Sequence, residues 1–248
     1  MISKKWYYKY TQYIIFALGN VYDKREMVGD MEFKKIEKRV VLKMVNRGKN
    51  RVLLEDIIYR DYLDLSAVYH LVPENGDIAG ELVPVTPKMM ESWEVTEDEL
   101  FETAVANLRE GMGFNMKNIL TSMLELMPDD ENDSDLMRML KQDLGELVFE
   151  EDESEQMFVI SDSKRENGAA VLVIDDLMAE YADTLGSDLI VIPASAKEII
   201  VARDKDQFDI ESLRKSIYEV NEGMVDENDF LSDNAYRYQR DTRKLTIV

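Results

Sequence analysis

Asp188-Leu189-Ile190-Val191-Ile192-Pro193-Ala194-Ser195-Ala196-Lys197-Glu198-Ile199-Ile200-Val201-Ala202 is the stretch whose reading decides the fold. Two β-branched runs flank the small, turn-forming triplet Ala194-Ser195-Ala196. That pattern predicts two strands, 188–193 and 197–202, joined by a tight turn. Upstream, Met157 to Ile160 reads as a strand. Asn167-Gly168 then turns the chain into a helix carrying Ala169, Leu172, Val173, Leu177, Tyr181 and Leu185, with Gly186 placed to close it. Downstream, Asp209 is positioned to cap a helix with Leu213, Ile217 and Val220, and 235–240 and 245–248 read as strands. The order β-α-β-β-α-β predicts a split βαβ unit of ferredoxin-like order, in an α+β fold of mixed or antiparallel sheets with helices on one face.

The first half repeats this grammar faintly. Val40 to Val45 is β-branched, 50–60 reads as a short helix, and residues 63–72 alternate with period two. Asn75-Gly76 is a hairpin signal, with Glu81 to Val85 as the return strand. Thr96-x-x-Glu99 is a capping box before Leu100, Phe101, Ala104, Val105 and Leu108. Segment 40–110 therefore reads β-α-β-β-α, which suggests a weakly duplicated unit. Ile119, Leu120, Met123, Leu124 and Met127 predict a second apolar helix face, stopped by Pro128, and Leu136 to Leu147 a third helix. The expected division is an N-terminal α/β part over 1–128, an acidic helix and linker over 129–155, and the βαββαβ part over 156–248.

Charge and composition exclude several chemistries. The chain has 248 residues, a formal net charge of −21, no cysteine and one histidine, His70. No disulfide, thiolate nucleophile or His-pair metal site can be built. The negative charge disfavours direct nucleic-acid and anionic-membrane binding, although residues 1–60 are basic, with 14 Lys/Arg against 7 Asp/Glu. Residues 129–155 carry 12 acidic against 2 basic residues. No apolar run reaches the ~18 residues that span a bilayer. Lys4 and Lys5 precede Ile14-Ile15-Phe16-Ala17-Leu18, which is too short for a signal-peptide core and reads as an element of the fold.

In combination, Asn167 to Leu172, Leu185-Gly186-Ser187-Asp188, Ile192-Pro193-Ala194-Ser195, Glu198-Ile199-Ile200 and Leu231 to Tyr238 resemble the bacterial family known as domain of unknown function 5688. Arg60-Asp61-Tyr62-Leu63-Asp64-Leu65 and Trp93 to Leu100 share the likeness. It covers roughly residues 22–246, the first 20 residues departing from the family's usual start. The resemblance implies a bacterial cytoplasmic setting and assigns no catalytic residue or cofactor.

Motif chemistry gives little else. Ser161-Asp162-Ser163-Lys164 and Ser232-Asp233-Asn234 match S-x-x-K and S-D-N, but K-T-G is missing and Ser161 ends a strand instead of opening a helix. Gly111-x-Gly113 lacks the third glycine of a dinucleotide loop. Asp129 to Asp135 lacks the glycine and the twelfth-position glutamate of a calcium loop, where Leu140 stands. No metal or cofactor is expected. Topology gathers one polar edge from Asn167, Gly168, Ser195, Asn221, Ser232, Asp233 and Asn234. Such side chains hydrogen-bond well and lack the pKa for proton transfer near neutrality, so the edge fits recognition of a protein or small molecule. A non-enzymatic binding module is the function expected. The alternatives are a hydrolase-like enzyme using carboxylate or Ser/Lys chemistry, and an acidic decoy that mimics nucleic acid.

Overall fold

The computed structural model describes residues 31–73, 82–127, 135–150, 156–204 and 209–248. The readings of residues 1–30, of Asn75-Gly76 and of the acidic runs 129–134 and 151–155 lie outside them. The described chain is α+β. It divides into two compact units, one holding the described residues up to Leu42, Arg51–Arg60 and Val68–Leu108, the other Lys43–Asn50, Asp61–Ala67 and Arg109–Val248.

The first helix among the described residues, α1 (Phe33–Ile36), leads through a 3-10 turn, Glu37–Arg39, into strand β1 (Val40–Asn46). Only Arg51–Leu54 of the expected 50–60 helix forms (α2). Tyr59–Tyr62 is instead strand β2, and it precedes β3 (Leu65–Leu71). The sheet order is β1-β3-β2, with β4 (Val83–Pro84) pairing β3 as Leu71↔Val83 and His70↔Pro84. The period-two alternation along β3 marks no solvent face, because every residue from Leu65 to Leu71 is buried. His70 is one of them, its Nδ1 3.2 Å from the Val68 carbonyl. Thr86 caps α3 (Pro87–Trp93) through the Met89 N–H, with Pro87 at the first turn. The capping box before α4 (Glu97–Gly111) forms reciprocally, the Thr96 N–H donating to Glu99 at 2.8 Å and the Glu99 N–H to Thr96 Oγ1 at 3.2 Å.

The second sheet has six strands in the order β10-β9-β7-β8-β6-β5. Strand β5 (Asn115–Asn118) leads directly into α5 (Ile119–Leu126), and α6 (Asp135–Glu150) packs on α5. Then come β6 (Met157–Ser161), a buried 3-10 segment Gly168–Val173, α7 (Asp175–Leu185), β7 (Leu189–Ser195), β8 (Glu198–Arg203), α8 (Ile210–Met224), β9 (Tyr236–Gln239) and β10 (Lys244–Ile247). The chain order β-α-β-β-α-β is present, but the strand order is not ferredoxin-like. That order would set β9 against β6. Here β5 fills that edge, pairing from Asn115↔Ser161 to Asn118↔Phe158, and β9 pairs β7 instead. Strands β6 and β7 are both antiparallel to β8, and β8 and β9 both antiparallel to β7. Both crossovers therefore step the same way along the sheet from oppositely directed strands. With right-handed connections α7 and α8 take opposite faces. Leu189, Val191, Val201, Tyr236 and Tyr238 line one face and are buried. Gly186 closes α7 at φ 67°, the left-handed conformation its C-cap position requires.

Helix formation does not begin at Ala169. The buried stretch Gly168–Val173 turns as a 3-10 segment, and the α-helix starts at Asp175. Its two valines, Val171 and Val173, are poor helix formers, and its backbone is bound from outside, the Gly168 and Ala169 N–H groups donating to the Lys197 and Ala196 carbonyls.

Candidate functional site

The turn between β2 and β3 holds Leu63 at φ 57° and presents Asp64. Three side chains from one short segment converge on that carboxylate. Ser232 Oγ donates to Oδ2 at 2.5 Å and Asn234 Nδ2 to the same oxygen at 2.9 Å, while the Tyr236 hydroxyl donates to Oδ1 at 2.7 Å. Ser232 Oγ also accepts the Asn234 N–H at 2.9 Å. The segment is held further by Asn46, whose amide donates to the Leu231 carbonyl at 2.6 Å. Asn221 donates to the Ser232 carbonyl at 3.1 Å and to Asp233 at 2.8 Å. Burial pushes the Asp64 carboxyl up, but the hydrogen bonds from Ser232, Tyr236 and Asn234 prevail and hold it below the ordinary carboxylate value. Burial, and then the bond to Asp64, push the Tyr236 phenol up. At neutral pH this is an ionised carboxylate under protonated donors, and it has no proton to exchange.

Sequence reasoning put Asn221, Ser232, Asp233 and Asn234 at the site, and the structure bonds them into one group. It did not name Asp64 or Tyr236. Their signal is only that both fall in stretches carrying the family likeness, since Asp64 lies 168 positions from Ser232.

The remaining three, Asn167, Gly168 and Ser195, belong to a second turn system. Asp162, 2% exposed, accepts the backbone N–H groups of Lys164 at 3.2 Å, Glu166 at 2.8 Å and Asn167 at 2.7 Å. Arg165 within that loop has φ 56°. Gly168 lies so close to β8's entry that a Cβ would sit 2.2 Å from the Lys197 carbonyl oxygen and 2.6 Å from Ser161 Cα. Ser161 Oγ donates to that carbonyl at 2.7 Å, and Ser195 Oγ accepts the Lys197 N–H at 3.2 Å. These groups bind the chain to itself. Lys197 also reaches Asp229, its ammonium 2.5 Å from Oδ2, and the Ala196 N–H donates to the Asp229 carbonyl at 2.8 Å. Asp229 lies three positions before Ser232, so the second system is tied to the segment that carries the first.

A third cluster lies in the other unit. The Arg60 guanidinium is bidentate to Glu97, bonds Asp98 at 2.6 Å and stacks 3.9 Å from the Phe101 ring centre, while the Tyr69 hydroxyl donates to Glu97. It anchors the first turn of α4, where Glu97 and Asp98 also complement the helix dipole.

One helix departs from the sequence reading in another way. Ile119, Leu120, Met123, Leu124 and Met127 predict an apolar helix face, yet Ser122 is the one buried residue of α5. Met123 is 45% and Leu126 63% exposed. Arg165 fixes the helix from the buried side by donating to Ser122 Oγ.

Among the described residues no group of three or more His, Asp or Glu side chains is placed to hold a metal ion, and no helix is long and apolar enough to cross a membrane. No curated protein and no solved structure matches the chain. A family model does, over residues 7–240, taking in most of the N-terminal stretch that the sequence resemblance leaves out. The chain therefore belongs to that family, whose description is "Family of unknown function (DUF5688)".

Proposed function

We propose that this protein is a non-enzymatic interaction module that binds a protein partner in the bacterial cytoplasm. The observation that carries the reading is α5, an apolar helix that buries a serine and leaves Met123 and Leu126 in solvent. Adjoining apolar side chains left exposed on a surface mark interaction sites. The polar convergences support the same reading. Asp64 is spent on three donors and Asp162 on three backbone amides. The Ser161 hydroxyl, the nominal S-x-x-K nucleophile, donates to the Lys197 carbonyl. The test uses the full chain as bait in a lysate of its native host. A stoichiometric protein should be retained by the wild type and lost with Met123→Glu. Absence of any such protein, together with substrate turnover that Asp64→Ala abolishes in a metabolite screen, would overturn the reading.

A further inference from the structure

We propose that the uncovered apolar stripes of α5 and α6 dock a basic amphipathic helix of a partner protein, an inference that rests on the interaction-module reading and names the chemistry of its partner. Three observations carry it. First, both helices of this packed pair leave large apolar side chains outside: Met123 and Leu126 on α5, and Met139 (61%), Leu140 (43%) and Leu147 (51%) on α6. Met123 and Leu126 are three residues apart, and Leu140 and Leu147 seven, so each pair shares a helix face. Spacings of three, four and seven are those by which one amphipathic helix meets another.

Second, the side chains are the adaptable kind. Two of the five are methionines, whose unbranched thioethers repack around differing apolar partners.

Third, the charge decides between occupants. Asp143 is exposed between Leu140 and Leu147, and Glu146 is exposed beside Leu147. The whole chain carries a formal net charge of −21. A second copy would bring the same excess against itself and be repelled, and an anionic bilayer or nucleic acid would be repelled likewise. A helix with an apolar stripe flanked by Lys or Arg satisfies both the apolar and the acidic components.

The test titrates the full chain into three fluorescently labelled peptides: an amphipathic Leu/Lys helix, the same helix with Glu for Lys, and a Leu/Lys peptide of identical composition with the stripe scrambled. The Leu/Lys helix should bind at least about tenfold tighter than either control, the tenfold corresponding to about 1.4 kcal/mol. Its affinity should fall as NaCl rises from 50 to 500 mM. Leu126→Lys with Leu140→Lys should weaken it by at least the same factor, with an unchanged far-UV circular dichroism spectrum showing that the fold survives. Both positions are exposed, so the pair should be tolerated. Hydrogen exchange on the wild-type complex should show protection within 119–147. Equal binding of the scrambled peptide would show charge attraction alone and overturn the proposal. So would protection confined elsewhere, or salt-resistant self-association through these residues in sedimentation. If none of the peptides binds but a host protein is still captured and lost with Met123→Glu, the partner class is wrong and the module reading stands. If no host protein is captured either, both fall.

Discussion

Two aspartates in two turns do the same job by opposite means. Asp162 receives its three hydrogen bonds from backbone amides two, four and five positions ahead of it. Asp64 receives its three from side chains 168 to 172 positions away. Asp162 shapes a loop that would otherwise leave three N–H groups without an acceptor, that of the buried Asn167 among them. Asp64 clasps a distant segment to the β2–β3 turn. A carboxylate that answers backbone donors is part of local folding, and its loss breaks the loop itself. A carboxylate that answers side chains is part of tertiary assembly, and its loss releases two segments each of which keeps its own shape.

The largest effect should fall on the Asp162 side. Gly168→Ala would drive a methyl group into the Lys197 carbonyl and Ser161 Cα, both backbone and neither able to swing aside. Overpacking of this kind should cost about 3 kcal/mol or more, read as a lowered midpoint in urea denaturation. Asp162→Ala removes a buried acceptor from three amides, one of them that of the buried Asn167, and about 3–5 kcal/mol should be lost. An Asp162→Ala protein as stable as wild type would mean that the loop holds without its carboxylate, and the contrast would collapse.

On the other side, Asp64→Ala should cost about 2–3 kcal/mol, less because Asp64 itself is only half-buried, so water can take the place of its carboxylate. Hydrogen exchange should separate the two. Asp64→Ala should raise exchange in 231–239, which Asp64 holds, and leave 162–170 protected, and Asp162→Ala should do the reverse. Acid sharpens the distinction. The Asp64 carboxyl titrates below its ordinary value of about 4. A depressed folded-state pKa gives stability that is complete above the unfolded value and is lost as pH falls through the folded one. The stability gap between wild type and Asp64→Asn should therefore be constant above about pH 5 and narrow below 4. A gap that widens on acidification would reverse the sign and remove the clasp. Tyr236 gives the alkaline counterpart. Its phenol is raised by burial and by Asp64, so its contribution is full below its ordinary value of about 10 and fades above it. Tyr236→Phe should flatten the alkaline limb.

The same contrast accounts for what could be read in advance. Caps and turns are local, and the sequence declares them: Thr96 with Glu99, Asp209 before α8, and Gly186 at positive φ were all legible from neighbours within a few positions. So was the β7–β8 turn. Strand β5 was not legible, because Asn115-Met116-Lys117-Asn118 has no alternation and owes its extension to pairing with β6. That pairing also moved β9 to the other side, so the ferredoxin-like order failed at a contact no local pattern encodes. In the first sheet the third strand again lies between the first and second, as β8 lies between β6 and β7. Of the candidate site, turn-forming residues pointed to both polar groups, since Ser, Asn and Gly announce themselves. Asp64 did not, being one carboxylate among 51 acidic residues. The exposure of Met123 and Leu126 on α5 was hidden for the opposite reason: an apolar period reads as core whether or not the other described residues cover it.

The smallest expected effect tests the site most closely. Within Ser232-Asp233-Asn234, the outer two residues bond Asp64 and the middle one does not. Ser232→Ala removes one donor from a half-buried carboxylate and leaves the Asn234 N–H without its Oγ acceptor, so about 1–1.5 kcal/mol should be lost. Asp233 is exposed, and its one side-chain bond is from Asn221 at the surface. Water replaces such a bond at little cost, and Asp233→Ala should change stability by less than about 0.5 kcal/mol. Stability alone therefore ranks Ser232 above Asp233, whatever the segment's role. Binding is the separate readout. If Asp233→Ala left stability unchanged but abolished capture of a host partner, the 232–234 turn would itself be the contact surface. The apolar stripes of α5 and α6 would then be secondary. The docking proposed on those helices requires instead that Asp233→Ala retain the partner at wild-type stoichiometry while Met123→Glu loses it.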